Sequence, residues 1–146
     1  MIGGILFVDD DPENVEIGAE ILRETSGREV VVSTSVEDAV DLLHDRGWAL
    51  VVMDLFVPLG EHPHRVLGRR AKRFQEHVDH LGGLVLLEEI DRMDPRPMVV
   101  SHTACTDKVL LDLFGDSVAR RIPKPAPLDT LLHGVMEALA ELDPGT

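Results

Sequence analysis

Residues 5–12 read Ile-Leu-Phe-Val-Asp-Asp-Asp-Pro, and the architecture follows from that octet. Ile5 to Val8 is a continuous apolar run of strand length, so it belongs to a strand buried on both faces. Asp11 followed by Pro12 then supplies an N-cap and a first-turn proline, which starts a helix reaching about Thr25, and Gly27 stops it. The same alternation continues along the chain. Glu29 to Ser33, with three consecutive valines, reads as a strand; Ser35 caps a helix whose Val36, Ala39, Val40 and Leu43 fall at i, i+3, i+4 and i+7, and Gly47 ends it. Ala49 to Met53, Met98 to Ser101 and Val118 to Ile122 are further strands, the last one weaker. Helices are expected at Leu84 to Arg92, Thr106 to Phe114 and Pro127 to Leu142. Strands apolar throughout and separated by helices define an α/β fold with a parallel sheet covered on both faces.

The chain has 146 residues, enough for one folded unit with a hydrophobic core and too few for two. At 44% apolar and 28% charged it is neither disordered nor collagenous, and no apolar run approaches the roughly 20 residues of a membrane helix. Met1 to Val8 has no basic n-region, so a secretory signal is not expected and the protein is expected in the cytoplasm, away from membranes. One cysteine, Cys105, excludes a disulfide scaffold or a cysteine-rich zinc module. The net charge of -13 argues against nucleic acid as a partner, since such proteins collect Lys and Arg. The exception to the acidic balance is residues 58–83, where Arg65, Arg69, Arg70, Lys72 and Arg73 outnumber Glu61, Glu76 and Asp79.

In a parallel sheet of this kind, ligands bind beyond the carboxyl ends of the strands, where the strand order reverses. The residues there are Asp9, Asp10 and Asp11 after the first strand, Asp54 after the third, Ser101, His102 and Thr103 after the fourth, and Lys124 with Pro125 after the fifth. Clustered carboxylates repel one another and persist where a cation neutralises them, and oxygen ligands suit Mg²⁺. A carboxylate at such a site can act as nucleophile toward a phosphoryl donor, with a lysine and a hydroxyl sharing the charge on the equatorial oxygens. Asp54 is then the phosphorylated group. Taken alone, an Asp triplet before Pro is a helix-capping turn and a lone lysine is solvated surface; four matched strand ends together carry the chemistry.

The sequence resembles the CheY-like receiver domain of two-component response regulators, of the single-domain kind. The matches are Ile5-Leu6-Phe7-Val8-Asp9-Asp10-Asp11, Val51-Val52-Met53-Asp54 with Pro58 four residues on, Thr103-Ala104, and Lys124-Pro125. The resemblance implies a five-stranded parallel sheet in order 2-1-3-4-5, flavodoxin-like, within one domain spanning 1–146. It implies Asp9 and Asp10 as the acidic pair, and Mg²⁺ held by Asp10, Asp54 and the Phe56 backbone carbonyl. It implies phosphorylation of Asp54, Lys124 paired with the phosphoryl group, a cis Lys124-Pro125 bond, and a hydroxyl contributed by Thr103 or Ser101, which strand alternation places on one side. The implied donor is a histidine kinase or phosphotransfer protein. With no output domain expected, the phosphoryl group acts as a charge switch on contacts with a downstream protein, and the chain is a phosphoacceptor that at most catalyses its own phosphorylation and dephosphorylation.

Several positions depart from the receiver pattern. Arg121 stands three residues before Lys124, where the family usually has an aromatic side chain, and the chain has no tyrosine. The fourth helix looks short, so signalling by another surface is expected. The positions two beyond Asp54 and two beyond Thr103 are Phe56 and Cys105, neither able to orient a water, which predicts a long-lived phosphorylated state. Residues 59–82 form an insertion between strand 3 and helix 3. Leu67, Ala71, Phe74, Val78 and Leu81 make one helical stripe there, with Arg69, Arg70, Lys72 and Arg73 largely off it. His62, His64, His77 and His80 also fall in this segment and read as solvated rather than metal-ligating. Two other functions remain open: a degenerate receiver acting as a phosphorylation-independent binding module, and a metal-dependent phosphohydrolase, for which Phe56 occupies the natural place of a general acid.

Overall fold

A computed structural model describes residues 3–62, 82–114 and 118–142. Its strands are β1 (Gly4–Val8), β2 (Val30–Ser33), β3 (Trp48–Met53), β4 (Met98–Thr103) and β5 (Arg120–Pro123), and its helices are α1 (Pro12–Ser26), α2 (Val36–Asp45), α3 (Gly82–Asp91), α4 (Lys108–Phe114) and α5 (Leu128–Leu142). The strands form one sheet in the order β2-β1-β3-β4-β5, every pairing parallel. The expected fold class and strand order therefore hold.

Alternation along each strand divides the apolar residues between two cores. Leu6, Val8, Val51, Met53 and Val99 face α2 and α3, where Ala39, Leu43, Leu86 and Ile90 close the layer. Ile5, Phe7, Val52, Val100 and Ile122 face α1 and α5, meeting Ala19, Leu22, Leu131, Val135 and Leu139. A sheet buried on both sides has no polar face, which is why its strands read as unbroken apolar runs rather than alternating ones.

Local signals set most boundaries. Gly27 closes α1 in the left-handed region, at φ 69°, with its N–H on the Arg23 carbonyl. The Ser35 side chain accepts the Asp38 N–H and caps α2 as expected. Asp11 occupies the N-cap of α1, but its side chain makes no capping bond; its N–H donates instead to Asp9 Oδ1 at 3.0 Å. β4 runs two residues beyond the expected Ser101, because its ladder with β5 continues through His102 and Thr103, opposite Ile122 and Pro123. α4 starts at Lys108 rather than Thr106, since Asp107 Oδ1 takes the Val109 N–H just ahead of it.

The insertion expected at 59–82 lies mostly outside the described residues, with its apolar stripe and His64, His77 and His80. Its first residues, 59–62, run without regular structure along α2: Glu37 N–H donates to the Leu59 carbonyl, and Glu37 accepts both the His62 N–H and a 3.2 Å contact from His62 Nδ1. His62 is thus paired with a carboxylate rather than merely solvated. Among the described residues no helix is long and apolar enough to cross a membrane.

Candidate phosphoacceptor site

The strand order reverses between β1 and β3, so the crevice lies at their carboxyl ends. Backbone bonds carry the sheet one residue past its formal ends and fix where the polar side chains emerge. Asp9 N–H donates to the Ser33 carbonyl, Asp54 N–H to Val8 and Lys124 N–H to Thr103. Three positions far apart in sequence are thereby held on one edge.

Asp9 and Asp54 are buried, at 1% and 5% exposure, whereas Asp10 is exposed. Carboxylate oxygens of all three lie within 4.8 Å of one another. Lys124 sits between the two buried ones: its Nζ donates to Asp9 Oδ2 at 2.6 Å and to Asp54 Oδ2 at 2.8 Å. The other oxygens of the pair are also engaged, Asp9 Oδ1 by the Asp11 N–H and Asp54 Oδ1 by the Phe56 N–H at 3.2 Å. Both carboxylates are therefore oriented before any ligand arrives.

The charges respond to this crowding. Burial raises the Asp10 pKa above the ordinary carboxylate value, and the neighbouring Asp9 and Asp54 charges push it further. Burial alone would lower the Lys124 pKa, but its hydrogen bonds to Asp54 and Asp9, with their charges, outweigh that and raise it. Three carboxylates against one ammonium leave formal negative charge in excess, the condition under which a divalent cation binds. An all-oxygen donor set fits Mg²⁺, which keeps several waters and needs only one or two carboxylates.

Strand register separates the two hydroxyls. Ser101 is level with Met53 and Arg121 inside the sheet, while Thr103 is level with Pro123 at the edge, next to Lys124, and its Oγ1 accepts the Cys105 N–H at 3.3 Å. Both are buried. Phe56, two residues beyond Asp54, is 41% exposed, and Cys105 is half-buried. The Lys124-Pro125 bond is cis, as is Asp94-Pro95.

His102 received no role from the sequence. It meets Phe7 edge-on at 6.4 Å between ring centroids and lines a cleft of about 620 Å³ that also touches Asp9 and Lys124. Its Nδ1 is buried without a hydrogen-bond partner, and burial, reinforced by the Lys124 charge, lowers its pKa.

No family model and no curated protein matches the sequence. Solved structures do match. A CheY-like response regulator receiver domain protein from Methanospirillum hungatei JF-1 superimposes with a TM-score of 0.76 at 20% identity, covering 100% of both chains. The non-phosphorylated HemR receiver domain from Leptospira biflexa gives 0.71 at 24% identity, covering 94% of each. The signal receiver domain of a Luxo repressor protein from Vibrio parahaemolyticus gives 0.71 at 18% identity over 100% of both. The chain is a doubly wound α/β protein with an acidic carboxyl edge. More narrowly, its fold is that of the CheY-like response regulator receiver domains.

Proposed function

We propose that the protein is a phosphoacceptor of two-component signalling, in which Asp54 receives a phosphoryl group from a histidine kinase or phosphotransfer protein. The observation that carries this reading is the Lys124 ammonium bridging two buried, pre-oriented aspartates at the edge where β1 and β3 end. An Asp54 carboxylate oxygen attacks the phosphorus of the donor, the bond from phosphorus to the donor nitrogen or oxygen breaks with its electron pair staying on the donor, and an acyl phosphate forms on Asp54.

Lys124 leaves Asp54 during this step and pairs with a phosphoryl oxygen, keeping its bond to Asp9 as a pivot. Thr103, at the edge beside Lys124, is the hydroxyl within reach of the phosphoryl group, and Ser101 is set back beside Met53. Asp10 and Asp54, with the Phe56 carbonyl, would hold Mg²⁺, with Asp9 completing the acidic cluster beside them. When bound, Mg²⁺ supplies positive charge that offsets the phosphoryl oxygens. The output is a change in protein contacts, with no chemistry on an external substrate.

The test is intact mass after incubation with acetyl phosphate and Mg²⁺, with beryllofluoride binding as a second probe. A single phosphoryl adduct that requires Mg²⁺ and is lost in Asp54→Ala is the expected result. Absence of the adduct together with unchanged amide spectra in beryllofluoride overturns it in favour of a phosphorylation-independent binding module. Steady turnover of a generic phosphate ester overturns it in favour of a phosphohydrolase.

A further inference from the structure

The backbone that carries Asp54 touches α3 more closely than side chains allow. Within residues 54–57, Leu55 and Val57 are fully buried, anchoring the loop inward, while Phe56 is exposed. Against that anchored backbone lie Gly82 and Gly83, the first two residues of α3. A Cβ on Gly83 would stand 2.6 Å from both the Asp54 carbonyl oxygen and the Leu55 Cα; one on Gly82 would stand 2.0 Å from the Val57 carbonyl oxygen. The contact is also bonded, since Gly83 N–H donates to the Leu55 carbonyl at 3.0 Å. Just beyond this segment the chain is tied to α2, whose Val36 N–H donates to the Pro58 carbonyl.

We infer that Gly83, together with Gly82, is a positioning residue for the acceptor: lacking side chains, they let the first turn of α3 sit on residues 54–57 and set the directions of the Asp54 carboxylate and the Phe56 carbonyl. This rests on the phosphoacceptor reading above. Carbon atoms make their best contacts at about 3.5–4.0 Å, so a Cβ at Gly83 displaces the loop by roughly 1 Å. The obstacle is backbone, which cannot rotate away as a side chain can. A displacement of that size next to the reacting atoms is enough to cost about a hundredfold in rate.

The experiment compares Gly83→Ala with Gly134→Ala, in which the added Cβ would stand 2.6 Å from the Ile122 Cδ1, a flexible side chain in the core facing α1 and α5. Mg²⁺ affinity is read from amide chemical shifts, acceptance from acetyl phosphate by mass, and stability by melting. Gly83→Ala is expected to lose at least about tenfold in Mg²⁺ affinity or acceptance rate while still melting cooperatively as a folded protein, whereas Gly134→Ala keeps wild-type affinity and rate. Wild-type affinity and rate in folded Gly83→Ala overturn the inference. If Gly83→Ala does not fold, exchange of the Gly83 amide in wild-type protein decides: saturating Mg²⁺ slows it several-fold relative to the Gly134 amide, and unchanged exchange overturns the inference. Wild-type protein that binds no Mg²⁺ and accepts no phosphoryl group counts against the function instead. Positioning is then judged in metal-free protein, where Gly83→Ala must shift the Asp54 and Lys124 side-chain resonances and Gly134→Ala must not.

Discussion

Lys124 Nζ donates to Asp54 Oδ2 at 2.8 Å across 70 residues of sequence, and it holds Asp9 with the same ammonium. Removing one member of a buried charge cluster leaves the others without compensation, which costs about 3–5 kcal/mol when the pair is fully enclosed. Lys124 keeps a quarter of its side-chain surface, so Lys124→Met is expected to lose about 3 kcal/mol in chemical denaturation. The same substitution made in Asp54→Asn should cost less, because one of the stranded charges is already gone. Equal losses in the two backgrounds would show that the bridge adds nothing to the fold.

Asp10 has the opposite sign. Its carboxylate faces Asp9 and Asp54 across less than 4.8 Å and is exposed on its outer side, so in metal-free buffer it destabilises the folded state. Asp10→Asn is expected to melt higher than wild type in chelator. Saturating Mg²⁺ should reverse that order, since binding at one hundred times the dissociation constant stabilises by about 2.7 kcal/mol. A melting temperature of wild-type protein unmoved by Mg²⁺ would remove Asp9, Asp10 and Asp54 as a metal site.

The lifetime of the proposed acyl phosphate should be set in part by Phe56 and Cys105. A phenyl ring has no donor or acceptor, and a thiol is weak in both roles, so neither side chain holds a hydrolytic water in line with phosphorus. Phosphorylated protein, once freed of donor, is expected to decay slowly. Phe56→Asn, which places a carboxamide able to hydrogen-bond and orient a water beside Asp54, should speed the decay by about tenfold or more. Decay just as fast in wild type as in Phe56→Asn would refute this.

His102 makes the fold sensitive to acid. Its folded pKa lies below the ordinary 6.5 because burial and the Lys124 charge oppose a second proton. The unfolded chain therefore binds the proton first. Stability is at its full value above about 6.5 and falls as pH drops from there toward the lowered folded value. Urea denaturation between pH 7.5 and 5.5 should show a smaller loss for His102→Leu than for wild type, and the His102 ring should titrate below 6.5 by NMR. A ring midpoint at or above 6.5 would contradict the burial argument.

Much of the architecture was legible because parallel sheets buried on both faces impose unbroken apolar runs, and Ile5–Val8, Val30–Val32 and Leu50–Met53 have them. Helix punctuation was local too: Gly27 and Ser35 act through bonds to their own neighbours. Asp9 and Asp54 could be named in advance because each directly follows an apolar strand, and Asp10 because it adjoins Asp9; Lys124 was legible from its place before Pro125, since the strand ahead of it, Arg120–Pro123, is largely polar. The full extent of β4 could not be read, because His102 and Thr103 become strand through pairing with β5, some twenty residues away.

The sequence by itself determined a layered α/β chain and the identity of the acidic and basic groups at its carboxyl edge, because burial and capping are written in short-range residue patterns. Only the tertiary structure decided how those groups meet. It put one ammonium between two buried carboxylates, set Thr103 rather than Ser101 at the edge, and gave His102 a buried, unpartnered nitrogen. It also seated Gly82 and Gly83 on the backbone of residues 54–57. Each of these depends on distances between segments remote in sequence, and such distances are set by sheet register and helix packing, which no local pattern encodes.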